Sequence, residues 1–237
     1  MVLEFLFFLS TLYVICFVIL YFSEKEGSFF FVLGSCWVLH LGIMTGGSGW
    51  AVPTGRRDGL VSLASDAESM PGPIDSIDDQ IKKFANKGLS IKDLVTLVGH
   101  TIGTAGCDTF NDRLYNYNNT NAPDPAIDQG FLPHLQTLCP LSGGDLTRRV
   151  ALDTNSENNF DNSYYENIRR GRGVLESDSK LWSDPRTQKL AQRFIGASRS
   201  HGSTFNKMFA RAMVKMSKIE LKTGNQGEIR RVCNKIN

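Results

Sequence analysis

Charge is nearly missing from the start of the chain. Up to Pro53 the only charged side chains are Glu4, Glu24, Lys25 and Glu26, so this stretch carries net −2 and the remainder, from Arg56 onward, carries +4. Across all 237 residues neither sign dominates, with 26 basic and 24 acidic side chains, and this removes any electrostatic case for nucleic acid as a partner. Histidine is scarce, at four residues (His40, His100, His134 and His201), and on base rates each is a surface or satisfied core residue rather than a ligand. No internal repeat occurs, and no pair of segments makes a convincing strand pair. Disordered and collagen-like chains are excluded by a hydrophobic content of 41%. Cysteines number five, an odd count that leaves at least one outside any intramolecular bridge.

What is present divides at about residue 44. Phe5 to Phe22 is an uncharged run of 18 residues, close to a bilayer span if helical. Glu4 replaces a basic leader, and no small-x-small site precedes the acidic SEKEG, so the run reads as an anchor or uncleaved signal rather than a cleaved one. A second apolar stretch, Ser28 to Met44, is a weaker span or a buried hairpin; the whole of 1–44 also reads as sequence foreign to the rest. Residues 45–237 have the pattern of a mostly helical domain with long ordered loops. Ile77, Ile81 and Phe84 share one face of a helix over Ser76 to Lys87, with Gly88 as its stop. Ser90 and Asp93 open the next helix as a capping box, and its apolar run leads toward His100. Ser183-Asp184-Pro185 starts another, with Leu190, Phe194 and Ile195 as its core face; Ser203 to Met216 is a further amphipathic helix.

His100 departs from the histidine base rate. It ends an apolar helical run and is followed by Thr101, Gly103 and Gly106, so its ring faces a place where backbone and something bulky approach closely. The string LVGHTIGTAGC, with LCP further on, occurs together with GWAVPTGRRDG, MPGP, DRLYNYNNT, LDTNSENNFDNSYYENI, GVLESDSKLWSDP and RVCNKIN. In order and spacing these resemble the secreted plant (class III) haem peroxidases, over roughly Thr45 to Asn237.

The resemblance implies an all-α haem domain, a monomer in the secretory pathway or cell wall, using hydrogen peroxide to oxidise small phenolic donors; the apolar run at 5–22 leaves a membrane-anchored form as the alternative. It makes His100 the proximal iron ligand of haem b and Asp178 the carboxylate that orients it. Thr101, Asp153, Ser156, Asn159 and Asp161 become a calcium set of carboxylates, hydroxyls and backbone carbonyls, with Asn159 giving only its carbonyl; Asp161 reads equally well as the cap of the helix that follows. Pro71 matches the residue whose carbonyl contacts aromatic donors. Cys107 and Cys139 match a bridge of the family, whereas the usual partner of Cys233 lies in a helix not recognisable here, so Cys233 pairs with Cys36 or stays free. Asn118 begins an Asn-x-Thr glycosylation acceptor in a surface loop.

One part of the family pattern has no match in these 237 residues. Peroxide cleavage needs a base and a cation above the iron, which the family places on one helix in a motif close to RLHFHDCFV. No such motif precedes Thr45: His40 sits between leucines, and no arginine comes before Arg56. The expectation is that no histidine or arginine stands above the iron opposite His100, so that the chain is either an active peroxidase by family or an impaired remnant.

Overall fold

The structure, a computed structural model, describes residues 42–53, 55–61, 65, 69–196, 199–231 and 236–237, and no side chain between 199 and 203. The apolar run at 5–22, His40, Cys36, Cys233 and the side chain of His201 lie outside this description. Among the described residues no helix is long and apolar enough to cross a membrane.

The fold is mainly helical. Helix α1 (Ile77–Asn86) starts where Ser76 accepts a hydrogen bond from the Asp79 amide, and the chain leaves it through Gly88 at φ +73°. Helix α2 (Ile91–Leu97) has the reciprocal capping box expected of Ser90 and Asp93. It stops three residues short of His100, so the histidine sits in the irregular segment after the helix. Strand β1 (Thr104–Gly106) follows, then α3 (Asn111–Tyr115), α4 (Leu132–Leu138), β2 (Arg149–Ala151), α5 (Ser163–Arg169), α6 (Glu176–Ser183), α7 (Pro185–Ala191) and α8 (Arg199–Met216). Helix α7 opens as its sequence suggests, with Asp184 accepting from the Arg186 amide and Pro185 in the first turn.

Strands β1 and β2 pair antiparallel, Thr104 with Ala151 and Gly106 with Arg149, which corrects the expectation of no strand pair. Three residues each are too few to show alternation. Just after β1, Cys107 forms a disulfide with Cys139, their Cα atoms 5.5 Å apart, within the excursion between the strands.

Two apolar clusters make the core. The larger joins α1, α2, α5, α7 and α8; Phe205, Phe209, Ala212, Met213 and Met216 of α8 are buried in it. Its centre is aromatic, with Phe160 against Phe209 at 4.8 Å and Tyr165 against Phe194 at 4.7 Å. The smaller surrounds the disulfide, with Phe110, Leu114, Leu135, Val150, Leu152, Val174 and Leu175. Helix α6 runs from one to the other, since Leu175 just before it belongs to the smaller cluster and Leu181 within it to the larger. Asp178 lies between them.

Candidate functional site

The seam between the clusters holds a buried polar constellation. His100 arrives from α2 through Gly99, where a side chain is excluded: a Cβ there would come within 2.6 Å of the Tyr165 hydroxyl. That hydroxyl donates to the Val95 carbonyl near the end of α2 at 2.9 Å. From α6, Asp178 brings Oδ1 to 2.8 Å from His100 Nδ1, with both side chains almost wholly out of water. With the carboxylate as acceptor, Nδ1 is the donating nitrogen of the ring. Asp178 Oδ1 also accepts from the Tyr164 hydroxyl at 2.9 Å, and its Oδ2 from the Leu175 amide at 3.4 Å. Burial and the neighbouring Asp178 charge push the Tyr164 hydroxyl well above its ordinary pKa, so it remains a donor.

Arg113 of α3 fixes α6 in place. Its guanidinium pairs with Asp124 at 2.8 Å and donates to the carbonyls of Gly173 and Val174 and to Ser179 Oγ, at 2.9, 2.6 and 2.9 Å. These partners flank Asp178 in sequence on both sides. Gly173 is needed for the close approach, since a Cβ there would stand 3.2 Å from Asp178 Cβ.

One residue beyond His100, Thr101 Oγ1 donates to the Asp161 carbonyl at 2.8 Å, lies 3.2 Å from the Asn159 carbonyl and accepts from the Asp161 amide at 3.1 Å. Ser156 Oγ donates to Asp161 Oδ2 at 2.7 Å. Asp153 joins through Ser163, whose hydroxyl lies 2.7 Å from Asp153 Oδ2 and also contacts Asp161 Oδ1. All five residues expected for calcium are therefore brought together, with Ser163 between the carboxylates. Asp161 Oδ1 also accepts from the Ser163 amide at 2.7 Å, so it caps α5 as well. No lysine or arginine pairs with Asp153 or Asp161 among the described residues. Burial, with the Asp161 charge added, pushes the Asp153 carboxyl up to about 7. Among the described residues no three His, Cys, Asp or Glu side chains gather as a metal cluster. Two carboxylates completed by hydroxyls and carbonyls instead fit a hard cation that takes oxygen ligands, and not a soft one.

Pro71 is half-buried in a loop tied to the helix of Asp178: the Ser177 amide donates to the Pro73 carbonyl at 3.0 Å, and Lys180 Nζ to that of Ile74 at 2.8 Å. Asn118 is exposed, with φ +52°, in the loop after α3. His134 is exposed on α4, with its ring beside Phe131. Sequence alone does not single out Arg113, Ser163 and Tyr164, which stand in the mostly polar strings DRLYNYNNT and FDNSYYENI.

A family model described as Peroxidase matches residues 31–197. Among curated proteins, Peroxidase N1 of Nicotiana tabacum is 59% identical over 196 residues, which are 82% of this chain and 59% of that one. Peroxidase 71 and Peroxidase 62 of Arabidopsis thaliana are 55% and 52% identical over the same share of this chain and 58% and 60% of their own. The chain thus spans about three-fifths of the length of these relatives. With a histidine held by a buried carboxylate, an oxygen-rich loop beside it and a family match over most of its length, the chain belongs to the peroxidase family and resembles its plant class III members.

Proposed function

We propose that this chain is a haem peroxidase that uses hydrogen peroxide to oxidise small phenolic donors, with His100 as the residue that would hold the iron of haem b. The observation that carries this reading is the buried contact of 2.8 Å between His100 Nδ1 and Asp178 Oδ1. A free imidazole exchanges tautomers; here the carboxylate holds the Nδ1 proton and presents Nε2 as the donor atom to a metal. Haem, when bound, supplies the iron at which peroxide is reduced. Asp178 raises the electron donation of His100 by drawing on the Nδ1 proton, and Arg113 keeps Asp178 in reach by holding the chain on both sides of it. Thr101, Asp153, Ser156, Asn159 and Asp161 would hold calcium, which would brace the residue next to His100, so that its removal would loosen the ligand. Pro71, on the loop bound to α6, contacts the phenolic donor through its carbonyl. Residues 45–237 form the haem domain, and 1–44 a separate apolar segment. The Asn118 acceptor and the disulfide suit a secreted, extracellular protein.

A second reading, a haem-binding chain that does not turn over peroxide, is favoured by the lack of a distal His/Arg motif in these 237 residues. Losing one positioned acid–base group costs roughly 10² to 10⁴ in rate. The full chain, reconstituted with haemin and calcium, separates the two. A Soret band that responds rapidly to hydrogen peroxide, with oxidation of guaiacol, supports the peroxidase. A stable band indifferent to peroxide supports the second reading, and no haem uptake defeats both.

A further inference from the structure

Asp178 Oδ1 serves two donors at nearly equal distance, His100 Nδ1 at 2.8 Å and the Tyr164 hydroxyl at 2.9 Å, and all three side chains are buried. We propose that Tyr164 is a positioning residue that sets the strength of the His100–Asp178 hydrogen bond by sharing its acceptor oxygen, and so sets how strongly His100 donates to the iron. The ligand role of His100 on which this rests is the reading proposed above.

The physical basis is competition between donors. A carboxylate oxygen that accepts one hydrogen bond has part of its charge dispersed, and a second donor at the same oxygen receives a weaker pull. In this buried site the exchange at Oδ1 is between these two donors, while Oδ2 faces the Leu175 amide at 3.4 Å. Packing holds the Tyr164 ring in place, edge-on against Tyr165 at 5.1 Å and edge-on to His100 at 6.1 Å. The next residue on α5, Tyr165, is equally buried but bonds the Val95 carbonyl instead. The two tyrosines therefore have separate roles: Tyr165 holds the end of the helix that leads to His100, and Tyr164 moderates the carboxylate behind it.

Tyr164→Phe keeps the ring and removes the shared bond, and Tyr165→Phe is its control. In the full chain without haem, the His100 Nδ1–H signal in a ¹H–¹⁵N spectrum, assigned by its loss in His100→Gln, is expected to move downfield in Tyr164→Phe and to stay in place in Tyr165→Phe. With haemin bound, Tyr164→Phe is expected to raise the iron–histidine stretching frequency and make the reduction potential more negative. An unmoved signal in Tyr164→Phe, equal movement in both variants, or an unmoved stretching band in a chain that holds haem would overturn the proposal. The haem-free spectrum decides the role of Tyr164 even if the chain takes up no haem, so failure of the haem reading is seen separately, in the haemin titration.

Discussion

Replacing Asp178 by alanine takes the acceptor away from a histidine that has little access to water, so the imidazole is no longer held in one tautomer. The expected result is a haemin affinity lowered by about 10- to 100-fold, read by spectrophotometric titration of the full chain; unchanged affinity would refute the assignment. Asp153 carries a prediction of a different kind. Burial beside Asp161 puts its carboxyl at about 7, above the value near ~3.9 of an unfolded chain. Between those values the folded chain binds more protons, so in chelator the urea midpoint should fall as pH rises from about 4 to about 7. Asp153→Asn should flatten this slope, and calcium should protect most at neutral pH, where it meets the ionised form. A calcium-free midpoint that rises over the same range would contradict the picture. At this scale legibility follows sequence distance. His100 stands out within its own run, whereas Asp178, 78 residues away, is assigned from sequence only through the family resemblance. Tyr164 is invisible there as a partner because NSYYEN does not tell which of two adjacent tyrosines faces a carboxylate.

Helices α2, α5 and α6 meet at the seam through contacts that local pattern does not encode. Gly99→Ala places a methyl group where the Tyr165 hydroxyl stands, 2.6 Å away, and must push it off the Val95 carbonyl. The expected cost is about 1–3 kcal/mol in urea unfolding, with Tyr165→Phe partly relieving it in the double variant; full additivity would argue against this contact. Arg113→Ala has a larger expected effect, about 3–5 kcal/mol, because Asp124 is left charged and buried without its partner. Since α6 then loses its tether to α3, haemin affinity should fall with stability. Calorimetry showing a loss under about 1 kcal/mol would place Arg113 among ordinary surface pairs. The starts of α1, α2 and α7 are readable because caps are local: Ser76, Ser90 and Asp184 bond amides two or three residues ahead. The β1–β2 ladder is not, because three residues per strand carry no alternation and the paired residues, Thr104 with Ala151 and Gly106 with Arg149, are distant in sequence.

For the molecule as a whole, the bridge between Cys107 and Cys139 is the covalent tie of the smaller cluster. On the chain-entropy account, reduction should cost roughly 3–4 kcal/mol, measurable as a lower urea midpoint in reductant than without it; equal midpoints would show that the bridge adds nothing to stability. The bridge also bears on the oxygen-rich loop. Thr101 and Asp161 are 60 residues apart, and the disulfide takes 32 of those residues out of the path that must close to join them. Halving a flexible loop lowers its closure cost by about 0.6 kcal/mol. The bridge thus shortens the path that must close to bring Thr101 and Asp161 together, so that a change in its thiol state reaches the oxygen-rich loop beside His100.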